Sequence, residues 1–230
     1  MVSCLVVAVL CYLAGSFPSA WIAGRILLGE DIRRLGSGNA GATNVLRLLG
    51  WKAALPVLAV DAFKGAAAVL FLAPLGLALA AALQVPSGAA FLGIGTASVP
   101  LVCRLAAAGA ALLGHAFPVF IGFRGGKGAA TGAGALGALA PVVVPPCVLV
   151  FVLVVLFTRY VSLGTILAAL AVVPAYVFLA PLVGGRVEPV LAVFLGAAAL
   201  AVILLHRGNI RRLLRGEEKR LEGWNPPGRR

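Results

Sequence analysis

The chain has 230 residues, of which 62% are hydrophobic and 11% charged, with a mean hydropathy of +1.08. A soluble domain carries about 25% charged residues, so this composition excludes one and defines an all-α polytopic membrane protein. The 19 lysines and arginines against 7 acidic residues leave a net charge of +12. Those cations gather in a few short polar loops and the tail, which is the positive-inside pattern. Nucleic acid is therefore excluded as a partner, and the bilayer and a phosphorylated small molecule are expected instead. A single domain over residues 1–230 is expected.

The first span runs from about Val2 to Leu28 with Pro18 inside it. No basic segment precedes it, as a signal peptide would need, so it is read as uncleaved. Arg25, Arg33 and Arg34 follow it, which puts the N-terminus outside. Next comes a polar loop from Leu35 to Arg47. Its Gly36, Gly38 and Gly41 fit G-x-G-x-x-G, but no strand precedes them and a dinucleotide fold is rejected. Ser37, Asn39, Thr43 and Asn44 offer neutral hydrogen bonds there, and Arg47 a fork suited to phosphate. The same residues also read as a helix start with Ser or Asn as N-cap.

A second span, about Trp51 to Leu77, contains Asp61 and Lys64, whose i, i+3 spacing puts them on one helix face. An inward-facing functional pair and a structural ion pair are equally open. Residues 78–100 carry no charge and either extend the flanking helices or form a shallow external hairpin. Cys4, Cys11, Cys103 and Cys147 lie in or beside apolar segments without metal or redox spacing, and read as small buried hydrophobes.

A third span, about Val99 to Leu113, delivers the chain to the glycine-rich stretch 114–131. Glycines let successive backbone N–H groups converge on one point. With Lys127, and a helix that starts near Gly128, the stretch is read as an anion cradle. It is not a Walker A loop, because Ile121 stands where that motif needs glycine. The bland alternative is a charged cytoplasmic turn.

Residues 129–158 are apolar apart from Thr131, but Pro141, Pro145 and Pro146 argue for two short helices folded back as a hairpin. That returns Arg159 to the cytoplasmic side. A sixth span at about 163–181, an outer turn at 184–189 and a seventh span at about 190–206 lead to a basic cytoplasmic tail. About seven spans then place the clusters Ser37–Arg47, His115–Thr131, Arg159–Ser162 and His206–Glu218 on one side. Two apparent phosphate sites beside a lipid-accessible bundle suggest chemistry joining a soluble phosphorylated molecule to an acyl or prenyl phosphate. A transporter of a phosphorylated anion is the competing class. It needs a polar path to the far side, and outside the clusters the chain offers little but Asp61, Lys64 and Arg104.

Gly36-Ser37-Gly38-Asn39, Gly41-Ala42-Thr43-Asn44 and Arg47, followed by Gly114-His115, Phe117-Pro118-Val119-Phe120 and Gly125-Gly126-Lys127-Gly128, resemble two signatures of the bacterial acyl-phosphate:glycerol-3-phosphate acyltransferase family. Arg159 to Leu163, and His206 with Asn209, Arg212-Leu213, Gly216 and Glu218, are similar to its later ones. The resemblance covers nearly the whole chain; a longer segment between Asp61 and His115, with an apparent insertion near 78–98, is the clearest departure.

The resemblance implies transfer of a fatty acyl group from acyl phosphate to the 1-hydroxyl of sn-glycerol 3-phosphate, in a bacterial plasma or inner membrane. No cofactor or metal is called for, and a monomer is expected. The H-x4-D motif of thioester-using glycerolipid acyltransferases is absent: Phe120 and Arg211 stand five residues after His115 and His206. The residues carried over as catalytic are Ser37, Arg47, Lys127, His206 and Asn209. Those carried over as substrate-binding are Gly38, Asn39, Thr43, Asn44, Lys64, His115, Gly125, Gly126, Gly128, Thr131, Ser162 and Glu218. His115, His206 or an oxygen of the acyl donor takes the hydroxyl proton; the substrate-assisted route is favoured, with His206, Asn209 and Ser162 positioning. Glu218 either orders the tail against a cation or neighbours the substrate.

Overall fold

Proline sets the first break. Helix α1 (Val2–Gly15) stops short of Pro18, which has no N–H to give and clashes with the preceding turn, and α2 (Ser19–Leu28) restarts directly after it. The structure, a computed structural model, describes residues 2–83 and 99–221. All regular elements among those residues are helical, and the chain divides into two compact units, Met1–Pro141 and Val142–Arg230.

In the first unit a 3-10 turn at Ile32–Arg34 precedes α3 (Ala42–Leu49) and α4 (Trp51–Ala67). A π turn at Ala68–Leu72 then carries α4 without a gap into α5 (Ala73–Ala82). Pro74 accounts for that turn: it withholds an N–H, and Ala73 reaches back five residues to the Ala68 carbonyl. The second apolar segment thus extends past Leu77, one of the two expectations for residues 78–100. The rest of that expectation, at 84–98, lies outside the described residues.

The unit is completed by α6 (Val99–Ala116) and α7 (Ala129–Leu139). Helix α1 packs along α6, and α4 along α7. Small residues line both seams. A Cβ on Gly65 would strike the Thr131 carbonyl, and one on Gly134 the Ala62 carbonyl, so only glycine lets α4 and α7 approach this closely. Val7, Cys11, Ala68, Ala107 and Ala111 form one core cluster between α1, the π turn and α6. A second, of Ala20, Ile32, Val45, Ala54 and Val57, seats the first polar loop on α2, α3 and α4.

The cysteine reading is corrected in part. Cys11 and Cys147 are free and buried, as expected, but Cys4 and Cys103 form a disulfide between α1 and α6. Their Cα atoms are 5.0 Å apart because the two helices run side by side, and a sequence separation of 99 hid that proximity.

In the second unit, α8 (Val144–Thr158) is closed by Arg159 in the left-handed region (φ 62°). Then follow α9 (Val161–Leu182), α10 (Pro189–Leu205) and α11 (Arg207–Leu214), with α9 packed on α8 and α10. The last two helices meet at His206 with a bend of 59°.

Among the described residues five helical segments are long and apolar enough to span a bilayer: Cys4–Leu28, Trp51–Ala82, Pro100–Ile121, Pro141–Thr158 and Val161–Leu182. Counting the bent pair α10–α11 makes six. The chain is thus a multi-pass membrane protein. The difference from the expected seven is α7, whose 11 residues reach about 16 Å against a hydrocarbon core of about 30 Å.

Candidate functional site

The first loop is built around a carboxylate and an amide. Asp31 caps the Ile32–Arg34 turn by accepting from the Arg33 backbone N–H (3.0 Å) and grips the Arg33 guanidinium through Nε (3.0 Å) and Nη2 (2.7 Å). The hydrogen bond from Arg33 holds the Asp31 carboxyl far below the usual carboxylate range. Arg33 Nη1 reaches across to donate to the carbonyls of Ile121 (2.6 Å) and Arg124 (3.1 Å), clamping the first loop to the second.

Asn44 is fully buried. Its Oδ1 accepts from the Ser37 N–H (2.8 Å), and its Nδ2 donates to the carbonyls of Ile32 (3.0 Å) and Leu35 (3.2 Å). Its amide is thereby spent on the loop's own backbone, which leaves Ser37 and Gly38 exposed at the tip. The expected Ser or Asn N-cap is not there: α3 is capped by Gly41 with no side-chain bond. A glycine cap leaves the amides of Ala42 and Thr43 without an intrahelical acceptor. Arg47 stands half-buried one turn beyond Thr43.

The second loop closes differently from the expectation. The N–H of Gly125 is donated to the Ala116 carbonyl and that of Gly126 to the His115 carbonyl, both at 3.1 Å. These amides satisfy the last carbonyls of α6 and do not converge on an anion. A Cβ on Gly126 would land on His115 Nε2 and stand 3.0 Å from the Ala40 carbonyl, so at this point the two loops touch. The expected helix start at Gly128 is observed. Gly128 caps α7 at φ 77° with no side-chain bond, so the first-turn amides of α7 open beside Lys127. Thr131 is wholly buried, with no hydrogen-bond partner for its hydroxyl among the described residues.

Beneath the loops lies a buried cluster of ionisable groups. Asp61 Oδ1 accepts from Ser19 Oγ (2.7 Å) and Lys64 Nζ (2.8 Å), and His115 Nδ1 lies 3.5 Å away. Lys64 also donates to the Phe17 carbonyl (3.0 Å), which the break at Pro18 leaves available. The i, i+3 spacing thus gives a buried ion pair, with the Lys64 ammonium held by Asp61 and the Phe17 carbonyl. His115 links that pair to the back of Gly126.

The second unit holds its own cluster. Glu218 Oε1 accepts from Ser162 Oγ (2.7 Å) and Asn209 Nδ2 (2.6 Å), and Oε2 from Arg212 Nε (2.7 Å). Burial pushes this carboxyl up, but the three donors outweigh it and hold its pKa below the ordinary value. Glu218 thus ties Ser162, Asn209 and Arg212 together. His206 sits at the helix bend with Nδ1 2.7 Å from the Val202 carbonyl. A carbonyl can only accept, so this bond puts the proton on Nδ1 and, in the neutral ring, the lone pair on Nε2.

The structure thus brings Gly38 and Ala40 beside Gly125 and Gly126 in the first unit, and gathers Ser162, Asn209 and Glu218 in the second. Sequence reasoning missed Asp31 and Arg33; their signal was an acid–base pair directly before the glycine loop. Among the described residues no group of His, Cys, Asp and Glu could hold a metal.

Two glycine-started helices and a lysine thus stand on the scaffold of a multi-span membrane protein. A sequence model of the glycerol-3-phosphate acyltransferase family matches residues 5–216. A glycerol-3-phosphate acyltransferase of Chlorobaculum parvum is 39% identical over 241 residues, 96% of this chain and 97% of the relative. One from Salinibacter ruber is 41% identical over 228 residues, covering 98% and 96%. The fold matches crystal structures of PlsY (YgiH), an integral membrane glycerol 3-phosphate acyltransferase, across 95% of each chain. The glycerol 3-phosphate form gives a TM-score of 0.70 at 35% identity, and the lysophosphatidic acid form 0.69 at 34%. The chain belongs to the glycerol-3-phosphate acyltransferase family and is an acyltransferase.

Proposed function

We propose that the chain transfers a fatty acyl group from acyl phosphate to the 1-hydroxyl of sn-glycerol 3-phosphate at the cytoplasmic face of a bacterial plasma or inner membrane. The products are lysophosphatidic acid and inorganic phosphate. The observation that carries this reading is the meeting of the two glycine loops, each opening a helix without a side-chain cap, with Lys127 at one and Arg47 at the other. The forms named for the PlsY structures, glycerol 3-phosphate and lysophosphatidic acid, fit an acceptor and its acylated product. The family match over residues 5–216 supports one acyltransferase domain.

Acyl phosphate is a mixed anhydride with a good leaving group, so no covalent enzyme intermediate is needed. The acceptor hydroxyl attacks the acyl carbon, the bond from that carbon to the bridging phosphate oxygen breaks, and an oxygen of the departing phosphate takes the hydroxyl proton. Lys127, Arg47 and the first-turn amides of α7 and α3 hold phosphate groups and offset the charge growing on the leaving group. Ser37, Asn39 and Thr43 supply neutral hydrogen bonds. Asn44 and Gly126 act by shaping the loops. His206 and Asn209 position substrate, and Ser162 is set by Glu218. Purified protein given acyl phosphate and glycerol 3-phosphate is expected to release phosphate and lysophosphatidic acid in equal amounts. Sustained turnover with acyl-CoA in preparations free of acyl phosphate would overturn the donor assignment.

A further inference from the structure

A pocket of about 550 Å³ opens where the two loops meet. Arg34 and Gly38 line it from the first loop, Arg124 and Gly125 from the second, beside the Asp31–Arg33 ion pair. Arg33 is locked by that pair and by its carbonyl partners. Arg34 and Arg124 differ: both are exposed, and neither guanidinium has an ion-pair or hydrogen-bond partner among the described residues. The pair Asp31–Arg33 is neutral as a unit, so these two arginines set the charge of the pocket.

We propose that Arg34 and Arg124 form a docking station that captures the phosphate of the water-soluble acceptor before it reaches Lys127. The inference rests on reading glycerol 3-phosphate as that acceptor. A phosphate monoester carries about −1.5 to −2 charges at pH 7, and a guanidinium fork matches its oxygens. Ile121 is the single apolar side chain among the lining residues, so the pocket suits a head group and not an acyl chain. Gly38 and Gly125 lead from it into the loops that carry the cradle. Exposed cations act mainly on encounter, which makes their effect dependent on salt. An anionic lipid head group presents the same phosphate chemistry, and the lipid composition separates the two sources.

The test uses the full chain in phosphatidylcholine nanodiscs, comparing wild type with R34Q/R124Q. Neither guanidinium bonds to the fold, so both proteins are expected to unfold at the same temperature. At about 50 mM salt the variant is expected to show a five- to tenfold higher KM for glycerol 3-phosphate, and raising salt to about 300 mM is expected to close most of that gap. The KM for acyl phosphate and kcat are expected to move less than twofold. R34K/R124K, which keeps both charges, is expected to recover most of the loss. A KM for glycerol 3-phosphate within twofold of wild type at low salt overturns the proposal. So does a variant whose only change is lost stimulation by added phosphatidylglycerol, which would make this a lipid site. The Kd for glycerol 3-phosphate, measured by calorimetry, needs no turnover. It decides the docking role even if wild type forms no lysophosphatidic acid, a result that would sink the functional reading alone.

Discussion

Gly126→Ala isolates what the glycine loop does. Gly126 is not among the residues with positive φ, so alanine meets no backbone penalty there. The whole effect is steric: the new Cβ would overlap His115 Nε2 and crowd the Ala40 carbonyl at 3.0 Å. Overpacking of this kind costs about 1–3 kcal/mol. The relief available is for the loop to lift, loosening the 3.1 Å bond from Gly126 to the His115 carbonyl and carrying Lys127 with it. If the strain is released in the free enzyme but must be restored in the transition state, kcat/KM falls by about five- to a hundredfold. Removing the ring makes room, so H115A/G126A should lose less than the sum of the two single losses in free energy. The assay is lysophosphatidic acid formation, with thermal unfolding in detergent alongside. A folded Gly126→Ala protein with wild-type kcat/KM, or strictly additive losses in the double variant, would refute the reasoning.

Lys127→Met is expected to lower kcat/KM about ten- to a hundredfold with the fold intact, the size of one lost charge-assisted hydrogen bond; near-normal kinetics in a folded, correctly oriented protein would reduce the loop to a charged turn. Single cysteines at Ser37, Gly125, Thr158 and Gly216 should react with an impermeant thiol reagent from the cytoplasmic side, and one at Gly185 from outside; external labelling at Thr158 would overturn the cytoplasmic placement of the Arg159–Ser162 segment. The Glu218 carboxyl has a folded pKa below its ordinary value of 4.5. Its contribution to stability is therefore full above that pH and lost as pH falls through the folded value. Glu218→Gln should destabilise by about 1.5–3 kcal/mol at pH 7 and flatten the stability profile below pH 4.5, as followed by thermal unfolding across pH; an unchanged acid limb would contradict this.

What could be read from sequence were features set by neighbouring residues. Pro18 breaks a helix wherever it sits, Gly128 opens one, and Asp61 and Lys64 meet because three residues separate them. What could not be read depended on tertiary closure. The glycine amides looked available for an anion, but the last carbonyls of α6 needed donors and Gly125 and Gly126 supply them. Asn44 looked like a ligand because its type suits one, whereas three backbone groups of a loop that ends before it claim its amide. The disulfide needed the pairing of α1 with α6, and the span count needed the length of α7.

The Asp61–Lys64 pair also bears on how the protein enters its membrane. Each charge alone at the centre of an inserting helix costs about 2.5–3.5 kcal/mol on translocon scales. Placed at i, i+3 and 2.8 Å apart, the two neutralise each other within α4 itself, before α2 supplies Ser19 or α6 supplies His115. The segment can therefore partition into lipid during synthesis as a helix without net charge at that level. Its remaining partners then join by lateral assembly, in whatever order the other helices arrive.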